Sequence, residues 1–193
     1  MTVALFVIAG LLLAALVFVA LVYNALVRDR NAVATAWALV DTELQRRHDL
    51  VPNLVATVQG YATHERTVLE QVTAARGAAV AAAPTAEARR ATEAPLVDGL
   101  RQLLTIAERY PDLKAGEQFL TLQHELADIE DRLAVARRIY NANVRDYNTA
   151  IQSFPGVLVA NARDYRPATF FSVGDALRTE EPPSVGEVTA APQ

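Results

Sequence analysis

The chain has 193 residues, of which 52% are hydrophobic, with a formal net charge of -4 and no cysteine. This length allows one membrane segment and one domain with a buried core. The charge, spread over interspersed arginines and carboxylates, excludes the basic stripe that nucleic-acid binding requires, so no nucleic acid partner is predicted. The absence of cysteine excludes disulfides, thiolate metal sites and a cysteine nucleophile.

The first predicted element is a transmembrane helix. From Val3 to Val22 every residue is apolar or glycine, and about twenty residues at about 1.5 Å each span the roughly 30 Å hydrocarbon core of a bilayer. A cleaved signal peptide is the alternative, but the segment lacks a charged start and a small-residue cleavage site. Residues 1–27 are therefore predicted to anchor the protein through a single pass. Arg28 and Arg30 follow directly, which favours a cytoplasmic location for the remainder.

Residues 28–171 are predicted to be all-α and to form an antiparallel up-and-down four-helix bundle. Apolar residues recur there in steps of three and four, as on one face of a helix. One series begins with Leu26 and includes Trp37, and two shorter series lie within 54–72 and 96–110. The longest series follows a heptad pattern that is predicted to continue without a slip. It consists of Phe119, Leu122, Leu126, Ile129, Leu133, Ala136, Tyr140, Asn143, Tyr147, Ala150 and Phe154.

The stretch "RRHDLVPNL" at 46–54 predicts the first helix break. Pro52 lacks a backbone donor and disfavours the α conformation at Val51, so the chain is expected to stop or kink there. Asp49 is a suitable cap for a helix that follows. The stretch is therefore interpreted first as a structural corner and second as a contact surface.

Further prolines predict the remaining breaks. Pro84 interrupts the chain before Thr85, a residue type that caps helix starts. Pro111 predicts the next turn, and Pro155 ends the last long helix. Residues 172–193 have no apolar pattern and are predicted to be a disordered tail.

No residue pattern predicts catalysis, a metal ion or a cofactor. His48, His64 and His124 do not have the spacing of a zinc-binding helix, and the serines lack a nucleophile motif. The glycines are scattered, so no phosphate-binding loop is predicted. The sequence therefore predicts no catalytic residue, no metal and no cofactor.

Two groups of polar residues are candidates for recognition. If two pairs of arginines at helix ends lie together, they form an anion-binding or partner-binding corner. The alternative is a solvated surface with pairs four residues apart, such as Glu43 with Arg47. A second group forms a polar seam in the last long helix, which either fixes helix register or lines a binding cavity. The predicted corner consists of Arg46, Arg47, Asp49, Asn53, Arg137 and Arg138, and the seam of Tyr140, Asn143 and Tyr147.

Three motifs in this order resemble those of the LemA family of bacterial membrane proteins. They are "RRHDLVPNL" at 46–54, "YPDLKA" at 110–115 and "ARRIYNANVRDYN" at 136–148. The resemblance extends from Tyr23 to about Phe171. It implies a single N-terminal membrane segment followed by a helical bundle, without an established enzymatic reaction.

The predicted function is that of a membrane-anchored scaffold or adaptor of the bacterial envelope. Its predicted partners are the lipid bilayer and envelope proteins. Whether it also forms a homo-oligomer is left open by the sequence. The alternative is an enzyme or a small-ligand receptor that uses the Arg/Tyr/Asn corner. Some relatives begin their bundle after a lipid-attached cysteine, which implies an extracytoplasmic domain, whereas the flanking arginines favour the cytoplasm. Both sides of the membrane stay open.

Overall fold

The computed structural model describes residues 2–172, and the regular elements within that range are helices. The predicted all-α class is confirmed. The predicted tail at 172–193 lies outside the described residues, except for Ser172. The helices are α1 (Thr2–Tyr61), α2 (Arg66–Ala81), α3 (Ala86–Ala107), α4 (Pro111–Lys114), α5 (Glu117–Gln152) and α6 (Gly156–Ala162).

The apolar N-terminal segment and the first bundle helix are one element. α1 is a continuous helix of 60 residues. A window of 18 residues within it has a mean hydropathy of 3.1, and none of that window is buried by the part of the protein that the structure describes. Such a helix is long and apolar enough to cross a bilayer. It continues without a break past Arg28, so the bundle grows directly out of the apolar segment.

Of the two outcomes predicted at Pro52, the end of the helix is wrong, because Pro52 lies inside α1, whereas a kink stays a prediction. Proline removes the N–H group that would bond to the carbonyl four residues earlier, here that of His48. Arg76 Nε of α2 donates to this carbonyl instead, over 2.6 Å. The chain turns only at residues 62–65. Asp49 is consequently an exposed residue within a helix, and its predicted role as a cap is also wrong.

The ends of α3 and α5 agree with the prediction. Thr85 accepts a hydrogen bond from the N–H of Ala88 at 3.3 Å, which satisfies a free donor in the first turn of α3. α5 ends at Gln152, before Pro155. Gly156, directly after Pro155, lies so close to the end of α5 that a Cβ atom there would overlap the carbonyl oxygen of Ala150. Only glycine permits this approach.

α1 and α5 run antiparallel along most of the fold. Trp37 packs edge-on against Tyr140, and Leu26 shares an apolar cluster with Ile151. α2 and α3 form a hairpin beside α1, and their link is fixed where Trp37 Nε1 donates to the carbonyl of Pro84 at 2.8 Å. The hairpin therefore covers α1 only from about Trp37 to Tyr61. We call this part the distal bundle. The α1–α5 pair on the other side of Trp37, toward the apolar N-terminal segment, is called the proximal stalk.

The buried apolar residues form separate clusters in the distal bundle, in the proximal stalk and at the junction between them. In the distal bundle, a large apolar cluster is formed by α1, α2, α3 and α5, and includes Leu54, Val72, Leu103 and Leu122. In the proximal stalk, a small cluster is formed by Leu26, Tyr147, Ile151 and Ala160. A third cluster at the junction contains Val40, Leu44, Leu133, Tyr140 and Phe171.

After Tyr140, the heptad pattern predicted for α5 is wrong at Asn143, Ala150 and Phe154, whereas Tyr147 is buried as predicted. Val144 and Ile151 are buried, whereas Asn143 and Ala150 are half-buried and Phe154 is 77% exposed. Two steps of four residues follow each other here, from Ala136 to Tyr140 and on to Val144. Such an inserted step locally shifts the buried stripe around the helix.

Candidate functional site

The neighbouring arginines of the predicted corner face in different directions. Arg46 is exposed and donates to Glu43 over 3.0 Å. Arg47 is 1% exposed and points into the distal bundle. Successive helix residues differ by about 100° in direction, which separates the two side chains. The predicted pairing of Glu43 with Arg47 is wrong, because Glu43 binds Arg46 instead.

Arg47 is held by carboxylates from two other helices. Its Nη2 donates to Glu93 of α3 over 2.6 Å, and its Nη1 donates to Glu130 of α5 over 2.8 Å. One guanidinium thus connects α1, α3 and α5. Burial alone would lower the pKa of Arg47, but the charges of Glu130 and Glu93 outweigh it and raise the pKa above its ordinary value.

Glu93 is fully buried and uses both of its oxygens. One oxygen accepts from Arg47, and the other lies 2.7 Å from Nε2 of His48. Burial would raise the pKa of Glu93, but the hydrogen bond with His48 and the charge of Arg47 together hold the pKa below its usual range. Glu93 is therefore ionised at neutral pH and accepts a hydrogen bond from the Nε2–H of His48. We call Arg47, His48, Glu93 and Glu130 the charge cluster.

A second buried arginine ties the hairpin to α1. Arg89 of α3 is 6% exposed. Its Nη2 lies 3.1 Å from Asp41 of α1, and its Nη1 donates to the carbonyl of Ala79 in α2. Arg89 therefore joins α1, α2 and α3 one turn of α3 away from Glu93.

An open polar groove lies between α1 and α5 on the outside of the distal bundle. Its walls are polar and its floor contains Leu50 and Ile129. Arginines and carboxylates from both helices face it, so the groove presents charges of both signs. Its polar side chains are Arg46, Asp49, Asn53, Glu125, Asp128 and Arg132. We call this surface the polar groove.

The second arginine pair does not join the first. Arg47 contacts Glu130, whereas Trp37 contacts Tyr140, so residues 137–138 of α5 lie level with the region just after Trp37. The two pairs are about two helical turns apart. The prediction of one corner formed by Arg46, Arg47, Arg137 and Arg138 is therefore wrong. Arg138 is exposed and Arg137 is half-buried.

The tyrosines of the predicted seam bind a segment without regular secondary structure, residues 164–172. Tyr140 donates to the carbonyl of Thr169 over 2.8 Å, and Tyr147 donates to the carbonyl of Arg166 over 3.0 Å. Burial raises the pKa of both tyrosines above the ordinary value, so their hydroxyls remain protonated as donors. Asn143 is not part of this contact, because it donates to the carbonyl of Ile139 in its own helix.

Two asparagines, which sequence reasoning missed, complete the attachment. Asn148 donates to the carbonyl of Ala168 and accepts from its N–H, over 2.9 and 2.8 Å. Asn141 makes the same two bonds with Phe171, each over 3.0 Å. Seven residues of helix advance about 10.5 Å and three residues of extended chain about 10 Å, so the two spacings match. The signal was the dipeptide Tyr-Asn, repeated seven residues apart. We call residues 164–172 the strap.

These contacts determine what the polar residues can do. In the charge cluster, Glu93 binds both Arg47 and His48 in the interior, and all three are closed to solvent. Their chemistry is that of a fixed ionic link between helices. The polar groove is open, and its mixed charges suit recognition of a polar protein surface.

Comparison with known proteins gives a consistent result. The family model described as "LemA family" matches residues 36–186. "Protein LemA" of Metamycoplasma hominis is 26% identical over 157 residues, which cover 80% of this chain and 70% of that protein. "Magnetosome protein MamQ" of Magnetospirillum gryphiswaldense is 24% identical over 153 residues, which cover 66% of this chain and 56% of that protein. Since the family model covers most of the chain, this protein belongs to the LemA family.

Proposed function

We propose that the protein is a single-pass membrane protein that presents its distal bundle as a scaffold or adaptor to other envelope proteins, without catalysing a reaction. The proposal starts from α1, which continues from an apolar, unburied segment into the bundle without a break. A bundle attached in this way keeps a fixed direction relative to its anchor. A recognition surface on it is therefore displayed at a defined place.

The observation that carries the proposal is the separation of buried and exposed polar groups. The described ionisable groups with altered pKa values, Arg47, Glu93, Tyr140 and Tyr147, are buried. The exposed polar residues instead line the polar groove, where Asp49 and Asn53 are accessible. An enzyme requires its perturbed groups at an accessible surface. An adaptor requires a rigid interior and an accessible polar surface, which is the arrangement in this chain.

The alternative, an enzyme or small-ligand receptor that uses arginine, tyrosine and asparagine side chains, has less support. Arg47 is bound to two carboxylates. Tyr140 and Tyr147 donate to backbone carbonyls of the strap. These groups would have to break existing contacts before they could bind a ligand.

The adaptor proposal can be tested by site-specific photo-crosslinking in the native host. A photoreactive amino acid at Asn53 in the polar groove is expected to form an adduct with an envelope protein. The matched control is the exposed Glu70 of α2, outside the groove. The same adduct should disappear when Arg46→Glu and Arg132→Glu are added, because they reverse charges at the groove. Adducts that are equal at both positions, or that survive the charge reversal, would contradict the proposal.

We also propose a division into an anchor at 1–27, a bundle at 28–171 and a tail at 172–193. The bundle should fold without the anchor, because its core is formed by its own helices. Leu26 refines the boundary, since it is 1% exposed and packs with Tyr147 and Ile151 of the stalk. A fragment that starts at residue 24 should therefore melt at a higher temperature than one that starts at residue 28. Equal melting temperatures would show that Leu26 is dispensable, and an unfolded 24–171 fragment would contradict the division.

A further inference from the structure

The short helix α6 and Phe154, two residues before it, have an apolar surface that the other described residues do not cover. Phe154 is 77% exposed and Leu158 is 63% exposed. The seven residues of α6, "GVLVANA", contain no charge, and Asn161 is their only polar side chain. Exposed helices in water normally carry charged residues on their outer face. The surface of α6 therefore has the composition of a lipid contact.

The position of α6 brings this surface beside the apolar segment of α1. Leu158 and Val159 of α6 line one side of an apolar groove, and Leu16, Val19 and Ala20 of α1 line the other. Leu16 lies six residues before Val22, the end of the uncharged run, or about 9 Å along the helix. If α1 crosses a bilayer through that run, α6 lies at the depth of Leu16 to Ala20, in the outer part of the hydrocarbon layer.

Arginines and aromatic residues border this surface on the side of the bundle. The Arg163 guanidinium lies 5.4 Å from the ring centre of Tyr23, and that of Arg30 lies 5.8 Å from the ring centre of Tyr165. Aromatic rings at the end of a span and arginines facing lipid phosphates are typical of the membrane interface. The polar border lies where the uncharged run of α1 ends.

The chain reverses direction at this border. Asp164 has a φ of 51°, in the left-handed region that aspartate tolerates. The N–H of Tyr165 donates to the carbonyl of Ala160 over 3.1 Å, which closes the end of α6 and returns the chain to the stalk. The segment from Phe154 to Arg163 is thus a loop that descends beside α1 and comes back.

We propose that this segment, with Phe154 and Leu158 as its apolar contacts and Arg163 at its border, is an interfacial lipid-binding element. It inserts into the boundary between headgroups and acyl chains, in the leaflet from which α1 emerges. The occupant of this surface is lipid, because the same surface continues onto the unburied apolar face of α1. The protein then holds the bilayer at two points. This inference rests on the membrane anchor of the proposed function.

The experiment uses the full chain, which contains no native cysteine. Leu158→Cys is labelled with an environment-sensitive fluorophore and reconstituted into vesicles of phosphatidylcholine with a minor fraction of phosphatidylglycerol. Two matched variants are prepared in the same way, Leu13→Cys in the apolar segment and Val135→Cys on the distal bundle. Their native side chains are 65% and 52% exposed, close to the 63% of Leu158. None of these substitutions disturbs a buried residue.

The label at residue 158 is expected to be quenched by phospholipid carrying a spin label near the headgroup, and to resist quenching by aqueous iodide several-fold better than the label at residue 135. If the label at 158 is as open to iodide as that at 135, the inference is overturned. If it is shielded from iodide but not quenched by the lipid, protein covers α6 and the inference is also overturned. If the label at 13 is itself not quenched by any lipid-attached spin label, the anchor fails and the inference fails with it.

Discussion

The seam between α1 and α5 runs through both the distal bundle and the proximal stalk, but a different element covers it in each. In the distal bundle the cover is the α2–α3 hairpin, whose helices satisfy their own backbone hydrogen bonds. In the stalk the cover is the strap, whose irregular backbone does not form such bonds and depends on side chains of α5 such as Asn141 and Asn148. The kind of covering element thus decides which side chains the seam requires.

The two solutions should respond differently to mutation. The charge cluster links three helices through two buried charges, so the loss of one partner leaves the other buried without compensation. The strap is held by neutral hydrogen bonds, and each lost bond should weaken it by a limited amount. The distal bundle is therefore expected to fail as a unit and the stalk to loosen locally.

The largest effect is expected for Glu93→Ala. It removes the buried carboxylate that binds Arg47 and His48, and should lower the free energy of unfolding by about 3–5 kcal/mol. Denaturant unfolding in detergent micelles, followed by circular dichroism, measures this change. Glu70→Ala, at an exposed position of α2, is the control and should change stability by less than about 0.5 kcal/mol. A loss as small as that of the control would show that the charge cluster does not hold the helices.

A second prediction separates charge from packing at the same place. Arg47→Met combined with Glu93→Leu removes both buried charges and keeps apolar volume. This double variant should be clearly more stable than Glu93→Ala, because no unpaired charge remains in the interior. The same denaturation assay compares them. A double variant as unstable as the single one would mean that shape, and not charge pairing, fixes this part of the core.

A smaller and local effect is expected for Asn148→Ala. It leaves the N–H and the carbonyl of Ala168 without their partner, which should cost about 1–3 kcal/mol. Hydrogen exchange should accelerate in the strap, residues 164–172, and not in α2 or α3. Asn143→Ala is the matched control on the same helix, because Asn143 bonds only within α5. Equal exchange in the two variants would contradict the role assigned to Asn148.

The pH dependence of stability should reside in the distal bundle. The pKa of Glu93 is lowered in the folded protein, so between this value and the ordinary pKa of about 4.3 the unfolded chain binds more protons. The contribution of Glu93 is present above the ordinary value and is lost as the pH falls through the folded value. Denaturation from pH 7 to pH 3 should show a steeper loss for the wild type than for Glu93→Gln. Parallel curves would assign the acid sensitivity to other groups.

The smallest effect is expected for Asp49→Ala. Asp49 is an exposed residue inside α1, so its replacement should change the free energy of unfolding by less than about 0.5 kcal/mol. The variant should weaken photo-crosslinking from the polar groove without a change in melting temperature. A loss of about 1 kcal/mol, the size expected of a missing helix cap, would restore the interpretation of this residue as a cap.

The sequence predicted the helical class and the apolar anchor because both depend on local patterns. Steps of three and four residues, as from Phe119 to Leu122 and Leu126, need no knowledge of the partner helix. The cap at Thr85 is also local. The wrong prediction of a helix end at Pro52 has a different origin, since the donor that replaces its missing N–H comes from Arg76, a residue 24 positions later in the chain. No local pattern contains that contact.

The polar sites were only partly predictable for the same reason. The direction of Arg47 is decided by Glu93 and Glu130, which lie 46 and 83 positions away. A signal for Glu93 existed, because the apolar series of α3 that contains Leu96 and Leu100 extends back onto it with helical spacing. A charged residue at such a position indicates a buried partner. The strap asparagines had their own signal in the repeated Tyr-Asn dipeptide.

Because α1 is one continuous helix, it also sets the distance between the polar groove and the end of the apolar run. At about 1.5 Å per residue, Arg46 and Asn53 lie roughly 35–45 Å along the helix beyond Val22. If α1 crosses a bilayer through its apolar run, a partner that binds the polar groove must extend that far from the bilayer, and a protein with only short loops outside the membrane could not reach it. Removal of seven residues from α1 and seven from the facing part of α5 would lower the groove by about 10 Å. In such a variant the groove would lie closer to the end of the apolar run, and proteins that bind only at the original distance would no longer bind.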